Sequence, residues 1–77
     1  MRVLYFAELR ELLNKHDEEI DLSYDITVKS FVQHIIERYP EIAKVKFQIA
    51  VNEEFGKDDD IVQSNDTVAL IPPVSGG

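Results

Sequence analysis

Few side chains in this sequence could do chemistry, and none comes as part of a set. The histidines are His16 and His34. His34 falls on the polar side of a helical pattern defined by Phe31, Val32 and Ile35, and both histidines read as solvated. Asp58, Asp59 and Asp60 are consecutive. A calcium loop spaces its oxygens and closes with a Glu, so this run reads as a solvated acidic turn, and no metal site is expected. Ser75 has no base beside it in sequence, and a loose segment cannot hold a nucleophile in place. There is no cysteine, which removes disulfides, thiolate metal sites and thiol nucleophiles together. What remains is the carboxylate of Gly77, the last residue of "ALIPPVSGG".

The residues before that carboxylate suit its presentation. Pro72 and Pro73 fix φ and favour an extended, polyproline-type backbone. The six residues 72–77 then reach roughly 20 Å beyond the core, at ~3.1–3.3 Å each. Pro72, Pro73, Val74 and Ser75 make the stalk, and Gly76 and Gly77 make a tip without side chains that can thread a narrow channel. The expectation is a flexible tail whose carboxylate enters another protein's active site, where a nucleotide could activate it. Ordinary terminal fraying is the competing reading.

The elements that must position this tail follow from periodicity. "RVLYFA" (2–7) reads as a strand. "ELRELLNKH" (8–16) reads as a short helix on Leu9, Leu12 and Leu13. "EEIDLS" (18–23) alternates as a half-buried strand, hairpinned with the first. Val28, Phe31, Val32, Ile35, Ile36 and Tyr39 mark one face of a main helix over about 27–39, with Thr27 as N-cap and Pro40 as stop. "KFQIAVN" (46–52) alternates with Phe47, Ile49 and Val51 on one side. A turn around Gly56, a weak strand at 60–63, a turn at 64–66 with Asn65 able to take φ > 0, and a last strand at 67–71 complete the chain. The class is α+β: one helix covers one face of a mixed four- to five-stranded sheet. Residues 1–71 form the domain and 72–77 the tail, which is expected to lack packing partners.

Alternation also leaves a face uncovered. If Val3, Tyr5, Val68 and Leu70 face the helix, then Leu4, Phe6, Ala69 and Ile71 face away. With Phe55 on the hairpin, Leu4, Phe6 and Ile71 form an apolar patch, unless the short helix or a one-residue slip covers them. Exposed patches of this kind mark interaction sites. Arg10 is either a surface residue or a partner contact.

A chain of 77 residues, 44% hydrophobic and 30% charged, is one small domain, too small for a deep private active site. The net charge of −7 argues against nucleic acid, whose backbone is gripped by Lys and Arg. It suits a basic protein partner or plain solubility. There is no apolar run of about 20 residues that could span a membrane and no cleavable leader, so the expected location is the cytoplasm.

Three stretches, "VLYFAELREL", "AVNEEF" and "ALIPPVSGG", resemble the ubiquitin-like β-grasp sulfur carriers, most closely the small subunit of molybdopterin synthase. The turn Ser64-Asn65-Asp66 departs from the Gly-Asp usual there. The resemblance implies that an ATP-dependent activating enzyme, related to ubiquitin-activating enzymes, adenylates Gly77. A sulfur donor then displaces AMP and leaves a thiocarboxylate. The charged carrier would dock on the large catalytic subunit in a heterotetramer and deliver sulfur to cyclic pyranopterin monophosphate. It implies partner contacts at Phe6, Arg10, Phe55 and Ile71 and an inserted tail from Pro72 to Gly77. The chain would be no enzyme by itself and would bind no cofactor, the ATP being used by the activating partner. Three other readings remain: a carrier in a thiamine-type pathway, a ubiquitin-like modifier joined to lysines, and a binding module with an inert tail.

Overall fold

The computed structural model describes residues 1–22 and 24–73. Its framework is a five-stranded mixed sheet. Strand β1 (Arg2–Tyr5) lies beside β2 (Asp17–Glu19) on one side and β7 (Thr67–Ile71) on the other. Strands β4 (Gln48–Val51) and β5 (Glu54–Phe55) extend the sheet beyond β7. The β1–β7 pair is parallel and the other pairs are antiparallel. The long helix α2 (Val28–Arg38) packs on one face, giving the two-layered β-grasp arrangement that the resemblance implied.

Alternation sets which residues meet α2. Val3, Tyr5, Val68 and Leu70 are buried, as are Val28, Phe31 and Ile35 from the helix. Val32, Ile36 and Tyr39 pack at the margin of this core. Thr27 caps the helix: its side-chain oxygen accepts from the Ser30 N–H at 3.1 Å. Pro40 ends the helix as expected, but the chain continues as a 3-10 helix over Pro40–Lys44 that buries Ile42. Proline is compatible with the first turn of a new helix because its missing N–H is not needed there.

Several boundaries differ from the sequence reading. Helix α1 (Ala7–Leu13) stops early because Asn14 turns left-handed, with φ 55°. Leu9 is buried in α1, whereas Leu12 is exposed. Strand β2 is only three residues long, although Ile20 and Leu22 beyond it are both in the core. The weak strand expected at 60–63 is β6 (Ile61–Val62), and it does not join the main sheet. It pairs with β3 (Ile26–Thr27), ahead of α2, in a separate two-stranded sheet. The β4–β5 hairpin turns at Asn52–Glu53 and not at Gly56. Asn52 and Glu53 have φ of 51° and 73°, the double positive φ of a two-residue hairpin turn. Asn65 is not among the described residues with positive φ. Its turn is closed instead by Asp66, whose side chain accepts from the Gln63 N–H at 2.8 Å and from Asn52 Nδ2 at 3.0 Å.

A polar cluster ties β2 to the end of α2. The Glu18 carboxylate accepts from the Tyr39 hydroxyl at 2.6 Å and from the Tyr5 hydroxyl at 2.5 Å. Lys15 and Arg38 approach it at 3.7 and 3.5 Å. Burial alone would raise the Glu18 carboxyl. The hydrogen bonds from Tyr39 and Tyr5, then the charges of Lys15 and Arg38, outweigh burial and hold it below the ordinary carboxylate value. For Tyr5 every large influence points one way: burial, then the bond to Glu18, push its hydroxyl far above its usual range.

Candidate functional site

The sheet face opposite α2 carries the candidate site, an open depression on the sheet. The register sets Leu4 beside Ala69, Ala69 opposite Ala50, and Ala50 opposite Phe55. These four residues form one row across β1, β7, β4 and β5. Strands lie about 4.8 Å apart, so the row spans roughly 14 Å. One step further along, Ile71 is opposite Gln48, and Phe6 follows Tyr5 on the Ile71 side. Two alanines in the middle of the row leave a hollow, and the larger side chains stand around it.

That hollow is a shallow depression of about 330 Å³, lined by Leu4, Phe6, Ala50, Phe55, Ala69 and Ile71 with Glu53 and Thr67 at its polar edge. Phe55 is 67% exposed and Phe6 41%. Leu4, Ala69 and Ile71 are half-buried. Helix α1 does not cover this face, nor has the register slipped. Its start explains why: Phe6 keeps extended backbone as the N-cap, with φ −124° and ψ 153°, and Ala7 then turns at φ 50°. That sharp turn takes α1 away at the end of the strand and leaves the Phe6 ring on the open side. A non-glycine residue at positive φ costs about 1–2 kcal/mol, and here the geometry keeps Phe6 outward.

The fold thus brings together Phe6, Phe55 and Ile71 of the residues singled out from sequence. Arg10 is exposed on α1 and does not line the depression. Pro72 is buried, which corrects the expectation of a tail free of packing from its first residue, while Pro73 is exposed. The chain leaves the protein at the rim of the depression, because Ile71 both ends β7 and lines it. Val74, Ser75, Gly76 and Gly77 lie outside the described residues. Ala50 and Glu53 were not singled out from sequence. Ala50 was implicit in the alternation of 46–52, whereas Glu53 reaches the edge through a hairpin turn that its own sequence hardly signals.

The rest of the chemistry stays dispersed. His16 is exposed, and His34 is half-buried and not fully solvated as its pattern suggested. Among the described residues no group of His, Asp and Glu is arranged to hold a metal ion. No helix among them is long and apolar enough to cross a membrane. What the open face offers is an apolar seat beside the root of the terminal segment.

Comparison with known proteins agrees with this geometry. Residues 3–77 match the ThiS family. The molybdopterin synthase sulfur carrier subunit of Dictyostelium discoideum is 37% identical over 99% of this chain and 94% of its own length. The subunit of the same name from Arabidopsis thaliana is 34% identical over 100% of this chain and 82% of its own. Among solved structures, SAMP1 from Haloferax volcanii superposes with a TM-score of 0.84 at 25% identity, covering 100% of this chain and 98% of that one.

Proposed function

This chain belongs to the ThiS family, and on that premise we propose that it is the sulfur-carrier subunit of a molybdopterin synthase, working in the cytoplasm. The observation that carries this reading is the position of the apolar depression. It lies at the root of the Pro-Pro-Val-Ser-Gly-Gly segment, so a partner seated on Phe6, Phe55 and Ile71 receives that segment as it leaves β7. The names of the full-length relatives support the choice of pathway.

The chemistry proposed is confined to Gly77. An activating partner uses ATP to form a mixed anhydride between the glycine carboxylate and AMP, releasing pyrophosphate. A sulfur donor attacks the acyl carbon, AMP leaves, and a thiocarboxylate remains. The large catalytic subunit then takes the tail into its pocket, and the sulfur passes to cyclic pyranopterin monophosphate. The glycine returns as a carboxylate with an oxygen from water. A dithiolene contains two sulfurs, so two deliveries are needed. The carrier supplies no acid or base of its own and binds no cofactor. Its contributions are a stiff lead-in from Pro72 and Pro73, a slim tip, and a docking face. Arg10 would reach the partner outside the depression.

The test is to append one alanine after Gly77 and assay product formation with the activating enzyme and the large subunit. The extended protein should melt like the parent and transfer no sulfur. Product formed at the parent rate would show that the Gly77 carboxylate is not the reacting group.

A further inference from the structure

A second concave surface lies on the other side of Phe55, away from the depression already described. It is an open groove of about 820 Å³ between α2 and the approach to β4. Its walls are Val32 and Ile36 from the helix and Val45 and Phe47 from the segment leading into β4. All four are half-buried and pack at the margin of the core, so the groove has an apolar floor.

Its charge is opposite to that of the molecule. The chain has fifteen acidic residues and eight basic ones. The groove takes two of the basic residues, Lys29 and Lys46, and only one acid, Asp58. Among the described residues neither lysine has an ion-pair partner, although acids outnumber bases almost two to one overall. A positive rim on an acidic protein selects an acidic partner and speeds its arrival.

The groove also has a free strand edge. Strand β5 covers β4 only as far as the bond from the Gly56 N–H to the Ile49 carbonyl, at 2.9 Å. The chain then turns away, and among the described residues Phe47 makes no backbone hydrogen bond. An unpaired edge beside an apolar trough is the setting in which extended peptides add as a strand, with alternate side chains entering the trough.

We propose that this groove docks an extended, acidic peptide segment of a partner protein. The segment pairs its backbone with the edge at Phe47. Its apolar side chains lie against Val32, Ile36 and Val45, and its carboxylates sit at Lys29 and Lys46. The proposal does not depend on the sulfur-carrier reading.

The experiment titrates the full chain with a fluorescein-labelled peptide, Glu-Val-Asp-Val-Asp-Leu-Glu, and with the same peptide carrying lysine at each acidic position. Binding is read by polarisation and mapped by amide chemical shifts. The acidic peptide should bind at least tenfold more tightly than the basic one. It should shift amides at residues 32, 36 and 45–49 and weaken as salt is raised. The surface variant Lys29→Glu/Lys46→Glu should lose at least tenfold in affinity, with the parent melting temperature. No saturable binding at millimolar peptide, equal binding of the basic peptide, shifts confined to the Phe6–Ile71 face, or an unchanged affinity in the double variant would each overturn the proposal.

Discussion

Truncating Phe55 to alanine should separate docking from folding. The ring is 67% exposed. A phenylalanine side chain carries on the order of 200 Å², so about 130 Å² of this one is left for a partner to cover. At about 25 cal/mol per Å² that is about 3 kcal/mol, or roughly a hundredfold in Kd. The value is in the range found for an aromatic anchor near the centre of an interface. The remaining third of the ring, about 70 Å², faces the protein and stabilises the fold by only about 1–2 kcal/mol. Phe6 has the reverse balance: at 41% exposure most of its surface is already spent on the fold. Substituting Phe6 therefore damages both properties, and Phe55 is the cleaner probe. The assay is calorimetric titration of Phe55→Ala against the large subunit, with a thermal melt of the variant alone. The expected result is a Kd raised 30- to 150-fold, with a melting temperature lowered by no more than about 15 °C. A Kd within threefold of the parent would refute the assignment of this face as the docking surface. So would a loss of binding that only accompanies unfolding.

Two further changes test the physical account of the fold. Glu18→Gln keeps the shape but removes the charge that faces Lys15 and Arg38, and its neutral amide oxygen accepts more weakly from the two tyrosines, which both donate to Glu18 Oε2. The expected loss near neutral pH is about 2–3 kcal/mol, read by urea unfolding. The Glu18 carboxyl titrates lower in the folded chain than in the unfolded one. Its stabilisation is thus fully present above the ordinary carboxylate value and is lost as pH falls through the depressed folded value. The gap between parent and variant should narrow as pH is lowered from 6 to 3, and a constant gap would show that the charge is not what matters. Ala7→Gly relieves a residue held at φ 50°. It should be stabilising by roughly 0.5–1 kcal/mol even after the entropy of glycine is counted, and a fall in melting temperature would mean that the turn is not strained.

Much of the fold was legible because its main signals are local. The spacing of Val28, Phe31 and Ile35 fixes the buried stripe of α2, and Thr27 sits where the cap is needed. Alternation in 2–7 and 67–71 assigned the two faces of the central strands, and with them the outward positions of Phe6 and Ile71. What was missed depends on contacts between distant residues or on turns without glycine. Strand β3 is two residues long and exists only because Ile26 meets Val62, so the strand expected at 60–63 found its partner there and not in the main sheet. The hairpin turn at Asn52–Glu53 puts a glutamate at φ 73°, where the propensity of the residue gives no warning. Tyr5 and Tyr39 both read as inward-facing positions, and they are, Tyr5 buried in the core and Tyr39 at its margin. Nothing in their spacing announces that their hydroxyls converge on Glu18, 13 and 21 residues away. Pro72 was placed in the tail because two consecutive prolines favour an extended backbone leading away from the sheet, yet here it is buried.

The terminal carboxylate is the centre of the proposed function, and its mass can be read directly. The chain is incubated with the activating enzyme, ATP and a sulfur donor, and its intact mass is measured. The account predicts a species in which one oxygen is replaced by sulfur, localised by fragmentation to Gly77 and lost when ATP is omitted. An unchanged carboxylate under those conditions, or a ladder of lysine conjugates in its place, would contradict it.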